Sequence, residues 1–195
     1  MSSQAQAIAQ LDDAPSVLVL RPQAAVSSDA PCKRHLLAGP EQIEILGVDF
    51  STPPPVWYDD WCTLLDGEPA DAAVITTADL AEFGGADREA PYDVETVGSP
   101  SNLTGVGVKS TPYLSDWDNP SVVVESLTVL LQYADPQSVY RFLHVLTSRL
   151  AATDARGQFY LDPLAQDEQT VELLTTLFDA VVEYDEEWTV RTRHD

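Results

Sequence analysis

The sequence predicts one three-layer α/β domain, with a mostly parallel sheet, helices on both faces and a C-terminal hairpin. Three observations carry this expectation. Short apolar runs alternate with amphipathic helical stretches along almost the whole chain. The 195 residues suffice for one core, since a chain of this size buries roughly 70% of its extended surface. Hydrophobic residues make up 44% of the chain, which excludes a wholly disordered polypeptide. The domain is expected over 14–195, behind a polar, Ala/Gln-rich flexible segment at 1–13.

Ser16–Leu20 is a continuous apolar run closed by Arg21-Pro22, the mark of a strand buried on both faces. A loop of small residues from Gln23 to Pro31 leads into a short helical stretch at Cys32–Leu37. Gln42–Phe50 reads as a second strand, stopped by Ser51-Thr52-Pro53-Pro54-Pro55, because prolines neither continue a ladder nor sit inside a helix. Val56–Leu65 follows as a helix, with Trp57 and Trp61 four apart on one face. Ala72–Thr76 is the next strand, then a loop or helix from Asp79 to Phe83 and the Gly84-Gly85 break. Tyr92–Val97 alternates apolar with polar, as an edge-side strand does. Asn102 can cap a helix from Leu103, whose length Pro112 is expected to limit.

The strongest strand signal is Ser121–Glu125, running directly into a helix at Ser126–Tyr133. Asp135-Pro136 is a helix start, with a capping carboxylate and proline at the first position. From Val139, the residues Phe142, Leu143, Leu146 and Leu150 trace one face of that helix. Gln158–Leu161 is a strand ending at Asp162-Pro163, and Asp167 opens a last helix with Val171, Leu174 and Phe178 on its buried side. Ala180–Tyr184 and Trp188–Thr192 form a hairpin around Asp185-Glu186-Glu187.

Charge restricts the function classes. The 32 acids against 10 bases give a net charge of −22, which argues against nucleic-acid or anionic-membrane binding through a basic face. Only Lys33 and Lys109 are lysines, whereas aspartate supplies 20 of the acids, spread along the whole chain. Such a shell repels itself in dilute salt and is relieved near 1 M, where the Debye length is about 3 Å. The composition therefore points to a high-salt cytoplasm, with an ordinary acidic protein as the plainer alternative. Cys32 and Cys62 have no metal-binding spacing and read as reduced core residues. The opening residues lack the features of a signal peptide, and no run approaches the ~18 apolar residues of a membrane helix. A cytoplasmic protein is expected.

The turn after the first strand is where an α/β nucleotide-binding protein places its phosphate loop. That loop needs glycines so that backbone N–H groups can approach phosphate oxygens. The segment RPQAAVSSDAPCKRHL contains none, and Lys33 and Arg34 follow a proline. The stretch Gly105-Val106-Gly107-Val108-Lys109-Ser110 is a decoy, because Val108 stands where the motif requires glycine. Glu125, with Ser126 beside it, ends a buried strand where ligands gather in open parallel sheets; a capping or hydrogen-bonded carboxylate is the structural alternative. Asp162 ends the following strand and can line the same crevice or serve the turn before Pro163. His35, His144 and His194 are far apart and compose neither a triad nor a metal set.

The stretch from Pro120 to Glu183 resembles the second half of RecA/KaiC-like ATPases, and more closely their degenerate relatives among uncharacterised haloarchaeal domain proteins. In that comparison VVVESLT matches the Walker B strand, with Glu125 in the place of the aspartate. LGVDFSTPP matches the strand after which the family carries a water-activating Glu-Glu pair, and Ser51 and Thr52 stand there instead. The resemblance implies a RecA-like fold. The missing Walker A loop, the missing acid pair and the Glu-for-Asp exchange imply that catalysis is lost.

The expected function is thus a catalytically inactive module without a cofactor, acting through a protein partner or self-association, in signalling or regulation. Trp57, Trp61 and Trp188 are candidate contact residues, with core packing as the alternative for each. Arg191 and Arg193, with His194, form a basic cluster and can meet an acidic partner or lie in a solvated tail. The competing reading is an ATP-binding protein with a non-standard phosphate loop, Glu125 and Ser126 being its vestigial Walker B residues. A DNA-binding regulator is disfavoured by charge.

Overall fold

A computed structural model describes residues 8–39, 41–82 and 89–193. The eight strands are β1 (Ser16–Leu20), β2 (Glu44–Val48), β3 (Asp71–Thr77), β4 (Asp93–Val97), β5 (Pro120–Val124), β6 (Arg156–Leu161), β7 (Ala180–Asp185) and β8 (Glu187–Thr192). They form one sheet in the order β4-β3-β2-β5-β6-β1-β7-β8. The first seven run parallel, and β8 pairs antiparallel with β7 as the second arm of the hairpin. The helices are α1 (Ala30–His35), α2 (Pro54–Leu65), α3 (Ala78–Glu82), α4 (Leu103–Asp116), α5 (Leu127–Tyr133), α6 (Pro136–Ala151) and α7 (Glu168–Thr175).

Near-continuous apolarity in β1, β2 and β5 has the expected cause: every residue of these strands is buried, with helices on either side. On one face α4, α5, α6 and α7 supply Val106, Leu127, Leu143 and Leu174 to a core with Leu18, Leu46 and Phe159. On the other, α1 and α2 supply Cys32, Trp57 and Trp61 to a core with Val19, Ile45 and Tyr160. The second face is drawn in closely. A Cβ on Gly47 of β2 would lie 2.6 Å from the Trp57 indole, so only glycine lets α2 approach there. Among the described residues, no helix is long and apolar enough to cross a membrane.

Several local expectations change. Leu11 is fully buried and Ala14 nearly so, so packing begins inside the segment expected to be flexible; residues 1–7 lie outside the description. The stretch expected to be a loop from Gln23 to Pro31 instead holds a 3₁₀ turn at Gln23–Ser28 and the start of α1. Pro53 caps α2 and Pro54 and Pro55 open it, where the missing N–H groups have no intrahelical partner to lose. Pro112 lies inside α4 rather than ending it. It sits on the exposed side, where water can serve the carbonyl it leaves unbonded. The expected Phe83–Gly85 boundary and His194 lie outside the described residues.

Candidate functional site

The chain crosses from β1 to β2 over two strand positions later filled by β5 and β6, so these four strands adjoin in the middle of the sheet. Their carboxyl ends carry Arg21, Asp49, Glu125 and Asp162. Ladder geometry holds three of these backbones: the N–H of Arg21 bonds Leu161 O at 2.9 Å, that of Asp49 bonds Ile75 O at 3.1 Å, and that of Glu125 bonds Val48 O at 3.1 Å.

The 3₁₀ turn and α1 lay two more charges across this edge. Asp29 makes a contact ion pair with Arg21, both side chains at least nine-tenths buried. The Lys33 Nζ lies 3.1 Å from Glu125 Oε2 and 3.9 Å from Asp29 Oδ2. Tyr160 forms the floor, with the Arg21 guanidinium 4.7 Å and the Lys33 ammonium 5.2 Å from its ring centre, and Trp61 flanks Lys33 at 5.7 Å. Beneath them the Tyr160 hydroxyl donates to Gln158 Oε1, and Gln158 Nε2 donates to the Lys33 carbonyl at 3.1 Å. Both cations are thereby fixed by carboxylates and aromatic faces of the chain itself.

Asp49 completes the cluster. Its Oδ1 accepts the Ser51 and Thr52 N–H groups at 2.8 and 2.9 Å. Burial, and then the neighbouring Glu125 carboxylate, raise its pKa above the ordinary aspartate value. Burial likewise lowers the Arg21 guanidinium and raises the Tyr160 hydroxyl from their ordinary values. Two adjoining clefts of about 350 and 280 Å³ flank the cluster and share Val26, Asp49, Thr52 and Glu125. Among the described residues, no group of three or more His, Cys, Asp or Glu is arranged to hold a metal ion.

The sequence-derived candidates fare unequally. Glu125 stands at the strand end as expected, bound to Lys33. Ser126 caps α5, its Oγ accepting the Val129 N–H at 3.1 Å. Asp162 serves a turn, accepting the Leu164 N–H at 2.9 Å, and its second oxygen receives the Gln23 N–H at 3.2 Å. Lys109 lies within α4 and pairs with Glu95 at 3.0 Å. Trp57 and Trp61 are only 2% and 3% exposed, which removes them as contact residues: their spacing marks the inward face of α2. Trp188 is half-buried against the second core, while Arg191 and Arg193 are exposed, as a contact role requires. Asp49, Arg21 and Asp29 were not anticipated. For Asp49 and Arg21 a signal existed: the strand-end rule that selected Glu125 also selects the residues following β2 and β1.

A second concavity, of about 550 Å³, lies between α4 and α6. Leu103, Gly107, Val108, Phe142 and Val145 line it, and Arg141 and Arg149 stand at its sides. Among the described residues lining it there is no carboxylate.

The solved structures that share this fold include three proteins of Pyrococcus horikoshii OT3. The structural-study target PH0250 superposes with a TM-score of 0.57 at 10% identity, covering 91% of this chain and 86% of that one. The KaiC-like protein PH0186 gives 0.52 at 9% identity, over 92% and 78% of the two chains. The uncharacterized protein PH0321, solved in complex with an unknown peptide, gives 0.52 at 11% identity, over 95% and 89%. Identities this low carry the fold alone, and that fold is RecA/KaiC-like. Among curated proteins no match was found. The profile of one family covers residues 14–184, and the chain belongs to it: the family of unknown function DUF7504.

Proposed function

We propose that this protein is a RecA/KaiC-like module that has given up nucleotide hydrolysis and works through protein contacts, in signalling or regulation within a high-salt cytoplasm. One observation carries the reading. Where a phosphate loop would lie, a glycine-free 3₁₀ turn and α1 fold over the strand ends, and the two cations able to meet a phosphate, Arg21 and Lys33, are bound to Asp29 and Glu125. A triphosphate would have to break both pairs and enter among Asp49, Glu125 and Asp162. Leaving the buried Asp29 carboxylate without its cation would cost several kcal/mol, and the partly exposed Glu125 less.

The protein-contact part is supported by the exposed Arg191 and Arg193 on the hairpin. A protein of the same fold, PH0321, was solved with an unknown peptide. Calorimetry with ATP and magnesium in multimolar potassium chloride tests the reading. No binding heat is expected, and micromolar binding would overturn it in favour of an ATP-binding protein with a non-standard loop. The high-salt habitat is tested separately by unfolding against potassium chloride. Stability should rise toward molar salt as self-repulsion is screened, and a maximum near 0.1 M would refute it.

A further inference from the structure

The sheet has two unlike edges. At one, β4 carries Asp93 and Glu95 and no base of its own, and Glu95 is already paired with Lys109 of α4. At the other, β8 is a six-residue strand without proline, and its charges have both signs. Glu187, Thr189 and Arg191 are exposed on one face, while Trp188 and Val190 lean on the second core from the other. The hydrogen-bond phase of β8 follows from the Arg193 N–H, which bonds Asp179 O at 2.9 Å. By alternation, residues 189 and 191 direct their backbone groups to β7, and Trp188 and Val190 direct theirs outward.

We propose that β8 pairs antiparallel with β8 of a second copy of this chain, in the register that sets Thr189 opposite Thr189. The inference rests on the reading of the module as one that works by protein contact, and it is independent of whether the nucleotide site is silent. The outward amides of Trp188 and Val190 fall opposite each other in this register and exchange hydrogen bonds. Glu187 falls opposite Arg191 twice, at the closely spaced positions where opposite charges contribute most, and there competes with Glu183, whose carboxylate lies 3.7 Å from Arg191 within the chain. Within Glu187–Thr192, centring on Trp188 sets Glu187 against Thr189, and centring on Val190 sets Thr189 against Arg191. Neither pairs opposite charges within β8, although centring on Val190 brings Glu187 opposite Arg193, the residue after its end, so the test must separate these two registers. Five residues a side make a short seam, so the dimer is a weak one, with a Kd of about 10–100 μM.

Sedimentation at about 1 M potassium chloride suppresses the long-range repulsion between two chains of charge −22 and weakens the exposed ion pairs at contact distance less than it weakens that repulsion. A concentration-dependent dimer is expected there. Under mild oxidation, Thr189→Cys should give a covalent dimer bridged between the two copies of position 189, since directly opposed strand residues have the Cα spacing of a disulfide. Wild-type protein, with Cys32 and Cys62, serves as the control. Val190→Pro removes an outward N–H and should abolish the dimer with the circular dichroism of the monomer unchanged. Glu187→Arg should weaken association about tenfold, and adding Arg191→Glu should restore it. A monomer at all concentrations up to about 1 mM, a dimer that Thr189→Cys fails to bridge, or one indifferent to Val190→Pro would each overturn the proposal. None of these results bears on ATP binding, so the two readings fail separately.

Discussion

The strand-end cluster and the α4/α6 groove are both concave, and the chain treats them in opposite ways. At the strand ends Arg21 and Lys33 face inward and are neutralised by Asp29 and Glu125, so the clefts there present cations already paired with the chain's own carboxylates. In the groove Arg141 and Arg149 stand beside apolar surface, and Val108 and Val145 remain 64% and 53% exposed. Four of only ten bases thus line two hollows, one satisfied internally and one open to solvent. In a shell this acidic, where the cations sit distinguishes the two better than cavity size does. The larger hollow lies away from the strand ends where an α/β fold binds ligands.

Trp57→Ala should separate the two regions most sharply. The indole fills the space above Gly47 and meets Tyr92 edge-on at 6.3 Å, so its removal should cost about 3–5 kcal/mol in a denaturant melt at high salt. A loss below about 1 kcal/mol would restore it as a surface residue. Lys33→Met comes next. It leaves Glu125 and Asp29 without their shared cation, but these side chains keep some solvent, Lys33 being 17% and Glu125 18% exposed. A cost of about 2 kcal/mol is expected, below that of a fully buried pair. A neutral result would mean that the cluster is solvated and open, and would weaken the contrast with the groove.

The fold was legible because hydrophobic periodicity reports burial. The parallel strands read as unbroken apolar runs, and Asn102, Asp135 and Asp167 each accept a hydrogen bond from the third residue onward as helix caps. The site was legible in half. Glu125 follows from its strand, but its partner Lys33 is 92 residues away in sequence and meets it only through the sheet order. The same holds for Arg21 over Tyr160. Prolines misled in both directions, at α2 and at Pro112, because their effect depends on which turn of the helix they occupy and whether that side is wet.

Asp49 allows a finer test through pH. Its folded-state pKa is raised, so the native state holds a proton that the unfolded chain has already released. Stability therefore declines as pH climbs from the ordinary aspartate value through the raised one, and is flat above it. Asp135 and Asp167 have lowered values, so their contribution is lost only as pH falls below the ordinary range, outside this window. Asp49→Asn keeps an oxygen for the Ser51 and Thr52 N–H groups and removes the repulsion with Glu125. It should flatten the decline and raise stability near neutrality relative to the wild type. An unchanged dependence of the urea midpoint on pH above the ordinary aspartate range would remove Asp49 from the cluster's electrostatics.

Gly107→Ala is the smallest effect and bears on the open region alone. Gly107 lies within α4, where glycine is less stable than alanine by roughly 0.5–1 kcal/mol because it has more backbone freedom to lose. Among the described residues nothing requires glycine there, since a Cβ at this position would meet none of their atoms within 4 Å. It lines the groove with Val108, so the missing side chain deepens the hollow at the expense of the helix. The substitution should therefore stabilise the protein by about 0.5–1 kcal/mol in a thermal or denaturant melt. A loss of stability would mean that the groove is already occupied by packing from the chain itself. In that case both regions would be satisfied by the chain's own groups, and the contrast between them would disappear.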